Sequence, residues 1–141
     1  MTNRKLFETT TVIAVAALAL SLFAPAAFAQ ARHFNLQIPF DFYAGSRLMP
    51  AGSYTVEYDA VTKAARIYDR EGHATTALAQ ATTNHLIGKN RIVFNRYGSL
   101  SFLSQMQWAA SDTGWAFRES QLELDAKLGA SPVKVAVQPQ K

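Results

Sequence analysis

Apolar and polar residues alternate with a period of two along most of this chain, the spacing of strands with one buried face. Phe34, Leu36, Ile38, Phe40 and Phe42 alternate with Asn35, Gln37, Pro39, Asp41 and Tyr43, which predicts a first strand that is an edge, or bulged, at donor-less Pro39. Ala44-Gly45-Ser46 interrupts the pattern, and Met49-Pro50-Ala51-Gly52 suits a type I turn. Tyr54, Val56 and Tyr58 then mark a second strand, Ala64 to Asp69 a third, and Arg70-Glu71-Gly72 a hairpin loop leading into a fourth over His73 to Ala81. Alanines there permit helix, but the preceding hairpin loop favours strand. Asn84 to Asn90 reads as a loop, Arg91 to Arg96 as a fifth strand, Tyr97-Gly98-Ser99 as a turn, and Leu100 to Trp108 as a sixth strand with Leu100, Phe102, Ser104, Met106 and Trp108 on one face.

The period changes after the Ala109 to Gly114 loop. Ser120-Gln121-Leu122-Glu123 fits a capping box and opens a helix predicted over Gln121 to Leu128, with Gly129 closing it in a left-handed conformation and Glu123 and Lys127 paired at i,i+4. Two turns of helix are marginal alone, so Leu124, Leu128 and Phe117 are expected to dock it on the sheet. The segment 129–141 holds two prolines and no large aromatic and reads as a mobile tail. With no repeat or heptad, these elements predict an all-β fold: a single antiparallel domain of about six or seven strands, built as a small barrel or a sandwich, with a short C-terminal helix. A transmembrane barrel is disfavoured, because the third and fourth segments are too thin to stay apolar toward lipid.

The first 29 residues form a separate unit. Arg4 and Lys5 precede the apolar run Thr11 to Ala24, and Ala27-Phe28-Ala29 offers a cleavage site after Pro25, the layout of a signal peptide removed before Gln30. The run is shorter than the roughly 20 residues of a membrane span, so the mature chain is expected to be exported, periplasmic or extracellular, with no transmembrane anchor. The mature domain would cover residues 30–128, followed by the tail. Cysteine is absent, which excludes disulfides, thiol chemistry and cysteine-ligated zinc. The net charge of +4 is spread without a basic run, which argues against nucleic-acid binding in an exported protein.

Several segments together, PFDF at Pro39 to Phe42, PAGSYTV at Pro50 to Val56, IVFNRYG at Ile92 to Gly98, FLSQ at Phe102 to Gln105 and the helix start at Ser120, resemble a family of short exported proteins common in acidobacterial genomes. The resemblance runs from about Phe34 to Lys127 and implies an exported β-rich domain without an assigned activity. Met49 stands where the family tends to have leucine and Arg118 where it tends to have proline.

Chemistry is sparse. His33, His73 and His85 have no ligand-like spacing, no G-x-S-x-G or glycine-rich phosphate loop occurs, and Asp41, Glu57, Asp59, Asp69 and Glu71 fall on polar strand faces or in turns. No catalytic, cofactor-binding or metal-binding residue is expected. Nine Phe, five Tyr and two Trp are the enrichment, most of them on apolar strand faces where they fill the core. Trp108 and Trp115 flank the loop after the sixth strand. They either cap the core or, with Arg96 and Tyr97 from the neighbouring turn, form a platform for an envelope protein, a polysaccharide or an apolar ligand. The favoured expectation is a non-catalytic structural or interaction module of the cell envelope. The alternative is a calycin-like barrel holding a small apolar ligand or saccharide, and a histidine and carboxylates converging in one cleft would favour an enzyme.

Overall fold

Two-residue alternation becomes pleated strand along most of the chain. A computed structural model describes residues 32–59, 61–83, 89–109 and 113–139. The expected leader and most of the 84–90 loop lie outside the described residues. Ten strands and one helix follow in order: β1 (Arg32–Ile38), β2 (Phe42–Ala44), β3 (Arg47–Met49), β4 (Gly52–Asp59), β5 (Ala64–Tyr68), β6 (Ala74–Thr83), β7 (Arg91–Tyr97), β8 (Leu100–Gln107), β9 (Thr113–Phe117), α1 (Gln121–Gly129) and β10 (Val133–Val137).

The strands form one continuous mixed sheet in the order β1-β4-β5-β6-β9-β8-β2-β3, with β7 along the other edge of β8 and β10 outside β7. Two strands change partner along their length and so bend the sheet back over itself. In β6, Ala74 to Leu78 pair with β5, and Ala79 to Thr83 pair with β9. In β8, Gln105 to Gln107 pair with β9, whereas Phe102 faces Tyr43 of β2 in a parallel bridge. Beyond their ladders, β1 and the chain after β10 meet at one bridge, Leu36 to Pro139, and the sheet is not a closed barrel.

The strand count exceeds the expected six or seven, and the sheet is not purely antiparallel. The predicted first strand is split because Pro39 cannot donate and the Asp41 carboxylate accepts from the Ala51 N–H at 2.8 Å, drawing the chain into the short β2–β3 hairpin. Gly45, at φ 64°, turns that hairpin. The segment read as a mobile tail contributes β10, whose Val135 and Val137 lie opposite Phe94 and Ile92 of β7 and pack, partly buried, against the core. Strand β6 confirms the strand reading of the alanine-rich segment.

The interior is aromatic. Phe34 meets Trp108 edge-on with ring centroids 4.8 Å apart, Tyr58 lies 4.3 Å from Trp115, and Phe42 and Phe94 meet at 5.2 Å. The first two contacts join the β1–β4 side of the folded sheet to its β8–β9 side, and the third joins β2 to β7. Phe42, Phe94, Leu36, Ile38, Ile67, Ile92 and Met106 are fully buried, and each such side chain contributes about 1.5–3 kcal/mol of transfer free energy.

In β8 the predicted stripe does not stay on one face. Phe94 opposes Leu103 and Val93 opposes Gln105, leaving Ser104 as an extra residue in a bulge. Leu103 therefore joins Met106 and Trp108 in the core. Phe102 points to the other face, stacked on Tyr43 at 5.2 Å and edge-on to Tyr97 at 5.9 Å.

Helix α1 starts where predicted, with Ser120 Oγ accepting from the Glu123 N–H at 3.2 Å. Its docking differs from expectation. Leu124 and Leu128 are exposed, and Glu123 is the buried side chain, turned toward β7 rather than back to the cap. Phe117 belongs to the inner core. Lys127 pairs with Glu119 at 2.9 Å instead of Glu123, and the C-cap is Ala130 in extended conformation, so Gly129 closes no left-handed turn.

Candidate functional site

The four residues expected to form a platform lie in two places. Trp108 and Trp115 pack together at 5.3 Å, 9 % and 8 % exposed, inside the core. Arg96 and Tyr97 sit at the other end of β7: Arg96 opposes Ser101, about 23 Å along β8 from Trp108 at ~3.3 Å per residue. Arg96 is engaged there. Its guanidinium carbon lies 4.4 Å over the Phe40 ring, and its Nε donates to Ser101 Oγ at 3.1 Å. Tyr97 points to the opposite face of β7 from Arg96, as alternation requires, and is buried. No single exposed surface unites the four.

Tyr97 belongs instead to a polar cluster between β7 and α1. Asn95 Nδ2 donates to Glu123 Oε1 at 2.8 Å, and all three side chains are at least nine-tenths buried. Asn95 Oδ1 and Tyr97 Oη have no hydrogen-bond partner. Burial pushes the Glu123 carboxyl above the ordinary glutamate value, outweighing the hydrogen bond from Asn95, and burial likewise raises the Tyr97 phenol.

A histidine and two carboxylates do converge, on the exposed turn between β5 and β6 rather than in a cleft. Ligand atoms of Asp69, Glu71 and His73 lie within 4.8 Å of one another. The Asp69 carboxylate is already engaged: Oδ1 accepts from the backbone N–H groups of Glu71 and His73 at 2.9 and 2.8 Å, and Oδ2 lies 3.0 Å from His73 Nδ1. Desolvation opposes ionisation of Asp69, but the His73 contacts hold its carboxyl below the ordinary aspartate value. This arrangement closes the hairpin around Gly72, at φ 84°. The residues stand two apart in D-x-E-x-H, a spacing that the separation between histidines alone does not reveal.

The outward face of β1, β4, β5 and β6 carries an array of polar side chains set in register across four strands. Its cross-strand rows are Asn35, Thr55, Tyr68 and Ala74, and His33, Glu57, Arg66 and Thr76. Thr55 Oγ1 donates to Asn35 Oδ1 at 2.8 Å, Ser53 donates to Gln37, and Tyr68 Oη donates to Glu57 Oε2 at 3.2 Å. Half-buried Tyr68 is the aromatic ring on this face, amid amides, hydroxyls and the Glu57–Arg66 pair of opposite charge. Asn35, Gln37, Thr55 and Glu57 were legible as the polar sides of their strands, but the assembly with Arg66, Tyr68 and Thr76 depends on register, which a list of residue types does not give.

No protein-family model, curated protein or solved structure matches this chain.

Proposed function

We propose that this chain is an exported, non-catalytic interaction module of the cell envelope, using the outward face of β1, β4, β5 and β6 as its contact surface. The observation that carries this reading is the disposition of the aromatics. Phe34, Trp108, Trp115 and Tyr58 form one ring-to-ring chain and Phe40, Phe94, Phe42 and Tyr54 another, so the side chains that would line an apolar ligand cavity pack on each other. The leader-like residues 1–29 and the resemblance to short exported proteins support placement in the envelope. The groups that would serve catalysis are engaged structurally, Asp69 with His73 in a turn and Glu123 under a helix.

A saccharide is the second reading for the same surface. Tyr68 offers a ring face beside Asn35, Thr55, Glu57 and Arg66, the combination of apolar plate and planar hydrogen-bonding groups that suits sugar rings and their hydroxyls.

The test is capture by the tagged mature protein from its own envelope fraction, run beside native mass spectrometry. A stoichiometric protein partner lost on Tyr68→Ala or Arg66→Glu supports the first reading, and a glycan lost on the same changes supports the second. A stoichiometric bound lipid retained by both variants overturns them in favour of an internal apolar site.

A further inference from the structure

Helix α1 holds to the sheet by a carboxyl. Its leucines face solvent, with Leu128 89 % exposed, and its one buried side chain is Glu123, 3 % exposed. A helix of nine residues does not persist alone and is ordinarily kept by an apolar stripe. Here the hold includes the Glu123 contact with Asn95 on β7. One half of the Asn95 amide is matched, Nδ2 donating to Glu123 Oε1 at 2.8 Å, while the other half, Oδ1, is buried without a donor. An ionised carboxylate only accepts and can never satisfy that oxygen, whereas a carboxylic acid also carries an O–H. An acid and a primary amide are complementary: the amide N–H meets the acid's carbonyl oxygen and the acid O–H meets the amide oxygen.

We propose that Glu123 carries a proton when α1 is docked and pairs reciprocally with Asn95, making the helix a pH-sensitive latch that is held in the acid form and loosened as Glu123 ionises. The surrounding charges come from every packed element. Glu119, before the helix, disfavours the ionised form, and Lys127 on the helix and Lys134 on β10 favour it. Lys127 is drawn to the Glu119 carboxylate at 2.9 and 3.2 Å. Tyr97 on β7 stays neutral through the working range, since burial and the nearby Glu123 raise its phenol further. Burial is the largest influence on Glu123 and raises its pKa in the folded chain. The docking contribution is therefore fully present below the ordinary glutamate value and is lost as pH rises through the raised one.

Hydrogen exchange of the 124–129 amides between pH 5 and 9, corrected for intrinsic rates, tests the latch. Protection should fall by up to about tenfold per pH unit between the ordinary glutamate value and the raised Glu123 midpoint, as loss of one proton requires, and level off above it, with the β4 and β5 amides unchanged. Glu123→Gln, which keeps both hydrogen bonds without a titrating group, should hold helix protection flat. Flat protection in the unmodified protein, or an equal fall in Glu123→Gln, overturns the proposal. Carbon NMR of the Glu123 carboxyl decides independently of whether that variant folds. Its midpoint should stand above the ordinary glutamate value, and a midpoint at or below that value overturns the proposal.

Discussion

Replacing Trp115 by alanine separates a core role for the tryptophan pair from a surface one. Trp115 is 8 % exposed, with ring centroids 4.3 Å from Tyr58 and 5.3 Å from Trp108. Truncating a buried tryptophan costs about 3–5 kcal/mol, from lost transfer free energy and the cavity left behind. Within that sum, the two aromatic contacts each contribute ~0.5–1.5 kcal/mol beyond their buried area. A loss of about 4 kcal/mol is a large share of the ~5–15 kcal/mol that stabilises a domain. At a urea dependence of about 2 kcal/mol per molar, the unfolding midpoint should fall by about 2 M. Urea titration followed by far-ultraviolet circular dichroism and by the fluorescence of the remaining Trp108 measures this directly. Trp115→Phe, which keeps a ring against Tyr58, should recover part of the loss. A change below about 0.5 kcal/mol, the range of ordinary surface substitutions, would refute the packing argument and return the pair to the surface.

Three further outcomes follow from the fold. Ending the chain after Ala130 removes β10 and uncovers Ile92 and Phe94, and should cost about 2–4 kcal/mol in urea unfolding, given two half-buried valines; an unchanged midpoint would restore the tail to a mobile role. Ser120→Ala removes the acceptor for the Glu123 N–H and should lower stability by about 1 kcal/mol, whereas Ser120→Asp should retain most of it. The turn held by Asp69 contributes stability above the ordinary aspartate value that is lost as pH falls through the depressed one. Acid unfolding of Asp69→Asn should lack that increment, and an acid limb identical to the unmodified chain would count against it.

Much of the fold was legible because one buried face imposes strict alternation, as at Tyr54, Val56 and Tyr58, which are all buried. The helix start was legible for a local reason, since an N-cap serine accepts from the N–H three residues on whatever lies nearby, although the glutamate half of the box goes to β7 instead. Its rotation about its axis was not. Leu124 and Leu128 looked like the docking stripe, but the seat offered by β7 is Asn95 and Tyr97, and the buried partner is Glu123, 28 residues from Asn95. Strand β10 escaped notice because only Val135 and Val137 turn inward, and only halfway. Composition left two places for Trp108 and Trp115, and their burial depends on where β1 and β4 lie, which is a matter of topology. The same holds for the Tyr68 face, whose members come from separate strands in register.

The extra residue at Ser104 lets a single strand serve two oily compartments. Upstream of it Phe102 helps line the outer pocket with Tyr43 and Tyr97, and downstream of it Met106 and Trp108 plug the inner one. The path of the backbone at this point therefore matters more than the side chain it carries. Phe102 and Met106 stand four residues apart, a spacing that plain alternation would put on one side. Ironing out the bulge with every residue kept would swing Phe102 inward or Met106 outward, whereas excising residue 104 would restore plain alternation and leave both compartments stoppered.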